Sequence, residues 1–205
     1  TGLNAEDHRV TQFALAAWNN NGKPQDELTV DIRQQVPDYV IASPEALLVT
    51  STDPSTLSQG LHPVQFAERI DTAFKKLRHA ARDIYLAKRK SDKQTREVIK
   101  LLALAHNKRF DDRMIYRTRA ESLHHRGRPH HYRGVISLDT RIIARALLAF
   151  TPKKFKYDYH LDDNGKKTAF PNLTLGALCK ANGLKYDESK AHKDAMYDLK
   201  CGHAL

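Results

Sequence analysis

An uninterrupted apolar run at residues 101–105, with the sequence LLALA, constrains the fold most strongly because it ends abruptly in the largely polar stretch 106–112. Five apolar residues without alternation have the length and pattern of a strand that is covered on both faces. Such a strand delivers the residues that follow it to one edge of a sheet. The run therefore predicts a buried strand, followed by a polar loop or the start of a helix.

Strand and helix patterns alternate along the rest of the chain, which is typical of the α/β class. A β-hairpin is predicted around the turn-forming residues 19–24. The further predicted elements are, in chain order, an amphipathic helix from Val64 into residues 88–90, a second helical stretch from Ser91 toward Lys100, a helix over 114–123, a strand over 135–138, a helix over 141–150 capped by Asp139, a turn at 162–165, a helix ended by Asn182-Gly183 and a final helix over 191–205. We expect a single domain over residues 1–205.

The composition is that of a globular chain. Its 205 residues are 40% hydrophobic, which is enough to fill the core of one domain. The apolar stretch 142–150 is broken by Arg145 and falls short of the roughly 20 residues that a membrane span needs. Only two cysteines occur, Cys179 and Cys201, and no signal-like apolar stretch opens the sequence. We therefore expect a soluble, cytoplasmic protein with no membrane contact and no disulfide framework.

Positive charge is concentrated in the middle of the chain. The formal net charge is +10, and residues 75–133 alone carry 18 basic and 6 acidic side chains. A basic segment of this kind is typical of proteins that bind nucleic acid. The alternative is a solvated helix face, because Lys and Arg are good helix formers and their stems cover apolar surface. We prefer nucleic-acid contact.

Two carboxylates stand out because apolar elements position them. Asp111 follows the predicted strand and Phe110, and Asp198 lies on the final helix. Carboxylate oxygens are the ligands that Mg²⁺ prefers, and two such ions activate a water and stabilise the leaving oxygen of a phosphodiester. His192 adds an imidazole that can accept the proton of that water. A capping Asp and a surface His are the alternative explanation of these residues.

Several segments together resemble the DnaQ-like, or DEDDh, 3′–5′ exonucleases. Within residues 105–112, the doubled Asp after Arg-Phe is particularly similar to the nuclease domain of bacterial exonuclease I. The supporting segments keep the family's order and rough spacing and comprise residues 1–4, 12–14, 137–140, 170–175, 178–184 and 191–198. The resemblance spans nearly the whole chain and is interrupted by extra residues around 75–100.

This resemblance implies a ribonuclease-H-like mixed β-sheet flanked by helices, with residues 75–100 as a basic helical insertion. It also implies removal of nucleotides from a 3′ end, with two Mg²⁺ or Mn²⁺ ions as cofactors. Carried over position by position, Asp111 and Asp198 are metal ligands and His192 is the general base.

The sequence departs from the family pattern in two places. The family's Asp-x-Glu motif, on its central first strand, belongs just before Thr1, and the printed sequence does not contain it. We expect an N-terminal strand with this motif to be missing from the sequence. The spacing from His192 to Asp198 is one residue longer than is typical, so we expect Lys193 to lie in the loop before the helix and Asp194 to start the helix rather than bind metal.

The residues around Asp111 supply candidate substrate contacts. Asn107 and Arg109 are expected near the scissile end, although Asn107 could equally cap the helix that follows. Leu3 is expected to touch the terminal base, because apolar groups stack on unpaired bases without reading their identity. For Phe110 a core position is preferred.

Basic residues elsewhere are candidates for phosphate contacts. Lys88, Arg89 and Lys90 lie on the insertion. The segment 124–134 holds four histidines, but no cysteine or carboxylate completes a zinc set. We prefer a phosphate-facing loop there, with Arg126 and Arg128 as binding residues.

The sequence therefore predicts a metal-dependent 3′–5′ exodeoxyribonuclease that hydrolyses single-stranded DNA, an activity used in DNA repair. An RNA 3′-trimming exonuclease and a catalytically inactive DnaQ-like nucleic-acid-binding module are the alternatives. Further domains or protein partners are compatible with the family resemblance.

Overall fold

The computed structural model describes residues 10–19, 21–36, 44, 47–48, 53–91, 101–106, 108–122, 135–150, 156–191 and 193–205. The strands are β1 (Gln12–Leu15), β2 (Val30–Arg33), β3 (Leu101–Ala105), β4 (Val135–Asp139), β5 (Asp158–Leu161) and β6 (Lys167–Asn172). The α-helices are α1 (Pro63–Ser91), α2 (Lys108–Ser122), α3 (Thr140–Phe150), α4 (Leu175–Ala181) and α5 (Ala195–Ala204). In the described part of the chain the strands form three two-stranded sheets, of which β3–β4 is parallel and the others are antiparallel.

The predicted N-terminal hairpin is confirmed. β1 pairs with β2 from Gln12 opposite Arg33 to Leu15 opposite Val30. In the connecting segment, the Oδ1 atom of Asn19 accepts hydrogen bonds from the backbone N–H groups of Asn21 and Lys23. Asn is favoured in turns because its side chain satisfies nearby backbone donors in this way.

Helix α1 is one continuous 29-residue helix and forms the main core of the molecule. Phe66, Ile70 and Phe74 recur at intervals of four residues and are buried against Phe13 of β1 and Met114 of α2. Ser91 is itself part of α1 rather than a cap in front of a new helix, and the helical stretch predicted toward Lys100 lies outside the described residues. The apolar face sustains the helix from Pro63 into the basic stretch, and residues 92–100 lie outside the described part.

The apolar run at 101–105 forms strand β3, as predicted, and it pairs in register with β4 from Leu101 opposite Val135 to Ala105 opposite Asp139. The expectation that this strand is buried is wrong for two of its side chains. Leu102 is 63% exposed and Leu104 is 41% exposed. Among the described residues, β3 pairs only with β4, so its other edge has no neighbouring strand to complete the cover.

The C-terminal part packs around α4 and α5. The predicted turn at 162–165 joins β5 to β6, and Gly165 has a φ of 75°, a conformation that favours glycine. Helix α4 begins after Thr174, whose hydroxyl caps the N–H of Ala177, and Asn182 ends it as predicted. Leu178 is fully buried beneath these elements.

No helix in the described ranges is both long enough and apolar enough to cross a membrane.

Candidate functional site

Asp111 lies in the first turn of α2, six residues beyond the end of β3. Burial raises the pKa of its carboxyl group to about 7, and the negative charges of Asp112 and Asp139 act in the same direction. The Lys108 ammonium acts in the opposite direction and favours the ionised carboxylate. Perturbation by burial and by specific charges is typical of functional carboxylates, although structural networks produce it as well.

Asp139 is a member of this acidic group that the sequence reasoning treated only as a helix cap. Its Oδ1 atom does accept the N–H of Arg141 at 2.9 Å, so the predicted capping role is confirmed. The parallel register also places it opposite Ala105, at the strand end that leads to Asp111. A parallel pairing of the segments 101–105 and 135–139 would have predicted that Asp139 lies at this edge, because parallel strands bring their carboxyl ends to one edge of the sheet.

Asp198 lies in the first turn of α5. The helix begins at Ala195, and the Asp194 carboxylate caps it by accepting the N–H groups of Met196 and Tyr197. Lys193 lies in the turn before the helix. The predicted helix-start role of Asp194 and the predicted loop position of Lys193 are thus confirmed.

The surroundings of Asp198 are largely apolar. Its Oδ1 atom is buried. Burial raises the pKa of the Cys179 thiol to about 11, and the negative charge of Asp198 contributes in the same direction. Burial also raises the pKa of Tyr186, and Asp198 adds to that shift. Asp198 therefore lies beside buried groups of α4 and the segment that follows it. The charges that act on Asp111 come instead from its own helix and from β4.

Asp111 and Asp198 both line one large cavity of about 2780 Å³, whose walls include residues of every described strand and α-helix. Its walls include residues 12–15 of β1 and 102–105 of β3, and the apolar side chains of Phe74 and Leu77 on α1 line it as well. Helix α5 packs against both strands. The N–H of Ala195 donates to Gln12 Oε1 at 3.3 Å, which ties the start of α5 to β1.

The cavity is also lined by His106, the residue directly after β3. Its Nδ1 atom lies 2.9 Å from the Thr140 hydroxyl, which itself donates to the carbonyl of Ala105 at 3.5 Å. This contact fixes the imidazole between the ends of β3 and β4. Sequence reasoning missed it, because the two residues are 34 positions apart.

The other predicted site residues fall into two groups. Arg109 on α2 and Lys88 and Arg89 on α1 are exposed, and Lys88 also lines the cavity. Phe110 packs against the main core, as preferred. The structure does not describe the remaining predicted site residues, which are Leu3, Asn107, Arg126, Arg128, His192 and the side chain of Lys90. Within the described ranges, no three His, Cys, Asp or Glu residues form a group that could hold a metal ion.

The fold defined by these elements is similar to that of solved exonuclease I structures. Escherichia coli exonuclease I in complex with a dT13 oligonucleotide aligns with a TM-score of 0.72 and 23% sequence identity, over 99% of this chain and 37% of that chain. An exonuclease I from Methylocaldum szegediense aligns with a TM-score of 0.68 and 23% identity, over the same shares. Neither the protein-family models nor the curated proteins gave a match.

These similarities confirm the predicted α/β class and, as a fold, the resemblance to the exonuclease I nuclease domain. The chain spans 37% of the length of these two structures.

Proposed function

We propose that this chain is the nuclease domain of a metal-dependent 3′–5′ exonuclease that hydrolyses single-stranded DNA. The observation that carries the proposal is that Asp111 and Asp198 line one cavity in a fold similar to that of exonuclease I, which has been solved with bound oligonucleotides.

Carboxylate oxygens are the donor type that a divalent cation prefers, and the described residues supply them without forming a group of three that could hold an ion. Asp111, Asp112 and Asp139 concentrate negative charge at one end of the β3–β4 pair, and this charge raises the pKa of Asp111 together with burial. Asp198 adds a carboxylate with a buried oxygen on the same cavity. Hard oxygen donors of this kind suit Mg²⁺ or Mn²⁺.

In the proposed reaction Asp111 and Asp198 would hold two divalent ions, which when bound would activate a water and stabilise the charge of the leaving oxygen. His192, three residues before α5, is the proposed general base. Leu3, Asn107 and Arg109 are the proposed contacts to the 3′-terminal nucleotide.

The family resemblance includes an Asp-x-Glu motif on a further strand, which would supply two more carboxylates to the proposed ligand set. β1 and β3 each use one edge for their single described partner, and both line the cavity. An inserted strand would pair with these edges and cover the exposed Leu102 and Leu104.

The basic residues of α1 are the proposed route for the DNA strand. Lys75, Lys76 and Arg82 are exposed on α1, in addition to Lys88 and Arg89. Lys88 lines the cavity. We propose that a single strand follows this helix toward the carboxylates. Phosphate contacts do not depend on base sequence, which suits an exonuclease that removes nucleotides one after another.

The experiment places a designed strand of alternating Val and Ile before Thr1, ending in an Asp-x-Glu motif, with an Asn-x-Gln strand as the matched control. With 5′-labelled single-stranded DNA and Mg²⁺, the Asp-x-Glu chain should shorten the substrate stepwise from the 3′ end. EDTA should stop the reaction, and the Asn-x-Gln chain should be inactive.

Internal cuts, or cleavage that is undiminished in EDTA, would contradict the proposal. Binding without cleavage by the Asp-x-Glu chain would favour the inactive nucleic-acid-binding module. An RNA substrate of the same sequence, assayed in parallel, distinguishes an RNA-trimming enzyme.

A further inference from the structure

The indole of Trp18, the single tryptophan of the chain, stacks on the imidazole of His203. The two ring centroids lie 3.8 Å apart, and the ring planes differ by only 9°. His203 is exposed, whereas Trp18 is partly buried. Because the indole covers one face of the imidazole, the other face and the ring edges are the parts of this side chain that solvent can reach. The pair therefore presents a flat aromatic surface.

The two rings are held by separate elements. Trp18 follows β1 and its backbone pairs with Pro24 across the hairpin turn. His203 lies in the last turn of α5. That helix runs along β1, since Gln12 accepts a hydrogen bond from its first residue, Ala195, and Trp18 stacks on His203 near its end. Both rings are thus fixed before a ligand binds, which lowers the entropy cost of binding.

The stack lies near the carboxylate that α5 contributes to the candidate site. Asp198 precedes His203 by five residues on this helix, which is about 7–8 Å along the helix axis. Two exposed lysines and two exposed carboxylates lie near the pair in the sequence, namely Lys23, Lys200, Asp26 and Glu27. These charges offset one another, so the surface offers a ligand aromatic contact more than electrostatic attraction.

We propose that the Trp18–His203 pair, which lines the same cavity as Asp198, is a stacking platform for an unpaired base of single-stranded DNA. The inference rests on the proposed function, which supplies the single strand. Every base has a flat π face, so an aromatic platform holds a strand without reading its sequence. The platform complements the phosphate contacts proposed for α1, because it binds the bases and not the charged backbone.

The test measures, by fluorescence anisotropy in EDTA, the affinity for an oligothymidylate and for an abasic strand of equal length. His203→Leu keeps an apolar side chain over the indole and removes the flat ring, so affinity for the oligothymidylate should fall about 5-fold. Affinity for the abasic strand, and the slope of log affinity against log salt concentration, should not change. His203→Phe supplies a ring again and should restore the affinity. His160→Leu, which removes an exposed histidine of β5, is the matched control.

Equal affinity of His203→Leu and the parent for the oligothymidylate would overturn the inference and make the stack a structural link between β1 and α5. Equal losses on both strands would overturn it as well, since the lost contact would then be to the DNA backbone. In both cases the parent still binds single-stranded DNA and the proposed function stands. If the parent binds neither strand, the proposed function fails and the inference fails with it. If His203→Leu does not fold, His203→Gln takes its place and the same outcomes decide.

Discussion

Arg119 on α2 and Asp71 on α1 form an ion pair with two contacts, Nε to Oδ1 at 2.5 Å and Nη2 to Oδ2 at 2.6 Å. The Arg119 side chain is 4% exposed. A planar guanidinium that meets a carboxylate in this way fixes both distance and orientation. The pair therefore holds the helix that carries Asp111 against the basic helix α1.

The first prediction concerns the stability that this pair provides. Asp71→Asn leaves a buried guanidinium without its counter-charge, so the free energy of unfolding should fall by about 2–4 kcal/mol in urea denaturation. Glu121→Gln is the matched control, because it breaks the more exposed Arg117–Glu121 pair on the same helix and should cost about 0.5 kcal/mol or less. Equal effects of the two variants would contradict the structural role of Asp71.

The second prediction concerns the pH dependence that Asp111 introduces. Its pKa is about 7 in the folded state, against an ordinary value of 3.8, so the folded state binds the proton more tightly. This contribution to stability is complete below about pH 4 and is lost as the pH rises to 7. In EDTA, Asp111→Asn should therefore be more stable than the parent at pH 8, by about 2–4 kcal/mol.

At pH 4 the difference between Asp111→Asn and the parent should vanish. Thermal unfolding at both pH values measures it. A variant that is destabilised equally at the two pH values would show that Asp111 serves as a structural cap of α2.

The third prediction concerns the basic helix. Replacing Lys88, Arg89 and Lys90 with Ala should weaken binding of single-stranded DNA. The slope of log affinity against log salt concentration should become less steep by up to about 2, because each phosphate contact contributes about 0.7 to that slope. Saturated turnover on short oligonucleotides should change little. The control replaces the exposed Lys166, Lys185 and Lys190. If the two triple variants show the same slope of log affinity against log salt concentration, the basic residues of α1 form a solvated face that does not contact DNA.

The fourth prediction concerns the general base. In the chain extended by the designed Asp-x-Glu strand, His192→Ala should lower turnover by about 10²-fold, because the imidazole takes a proton from the attacking water. His79→Ala, which removes an exposed histidine of α1, is the control. Normal turnover of His192→Ala would show that the extra residue before Asp198 displaces the imidazole from the site.

Local features of the fold were predictable from the sequence, and long-range ones were not. The apolar run 101–105, the cap at Asp139 and the helix start at Asp194 depend on a few neighbouring residues, and all three are confirmed. The exposure of Leu104 depends on whether another strand covers β3, which the composition of the run does not reveal.

The same distinction applies to the candidate site. Asp111 and Asp198 were identified by their places on apolar elements and by the family resemblance, and the structure puts both on one cavity. The effects of Lys108 and Asp139 on the pKa of Asp111 were missed, since they depend on burial and on the register of β3 with β4. Periodicity reports which face of an element is apolar, but not which elements meet.

The most direct measurement compares cleavage and binding for Asp111→Asn and Asp198→Asn, each in the chain extended by the designed Asp-x-Glu strand. Single-turnover hydrolysis of 5′-labelled single-stranded DNA is measured in Mg²⁺, and affinity for the same DNA is measured by fluorescence anisotropy. Each variant should lose hydrolysis by several orders of magnitude and keep its affinity within a few-fold, because a metal ligand is removed and the basic surface is not. Hydrolysis at the parent rate in either variant would contradict the assignment of these two carboxylates as the catalytic centre.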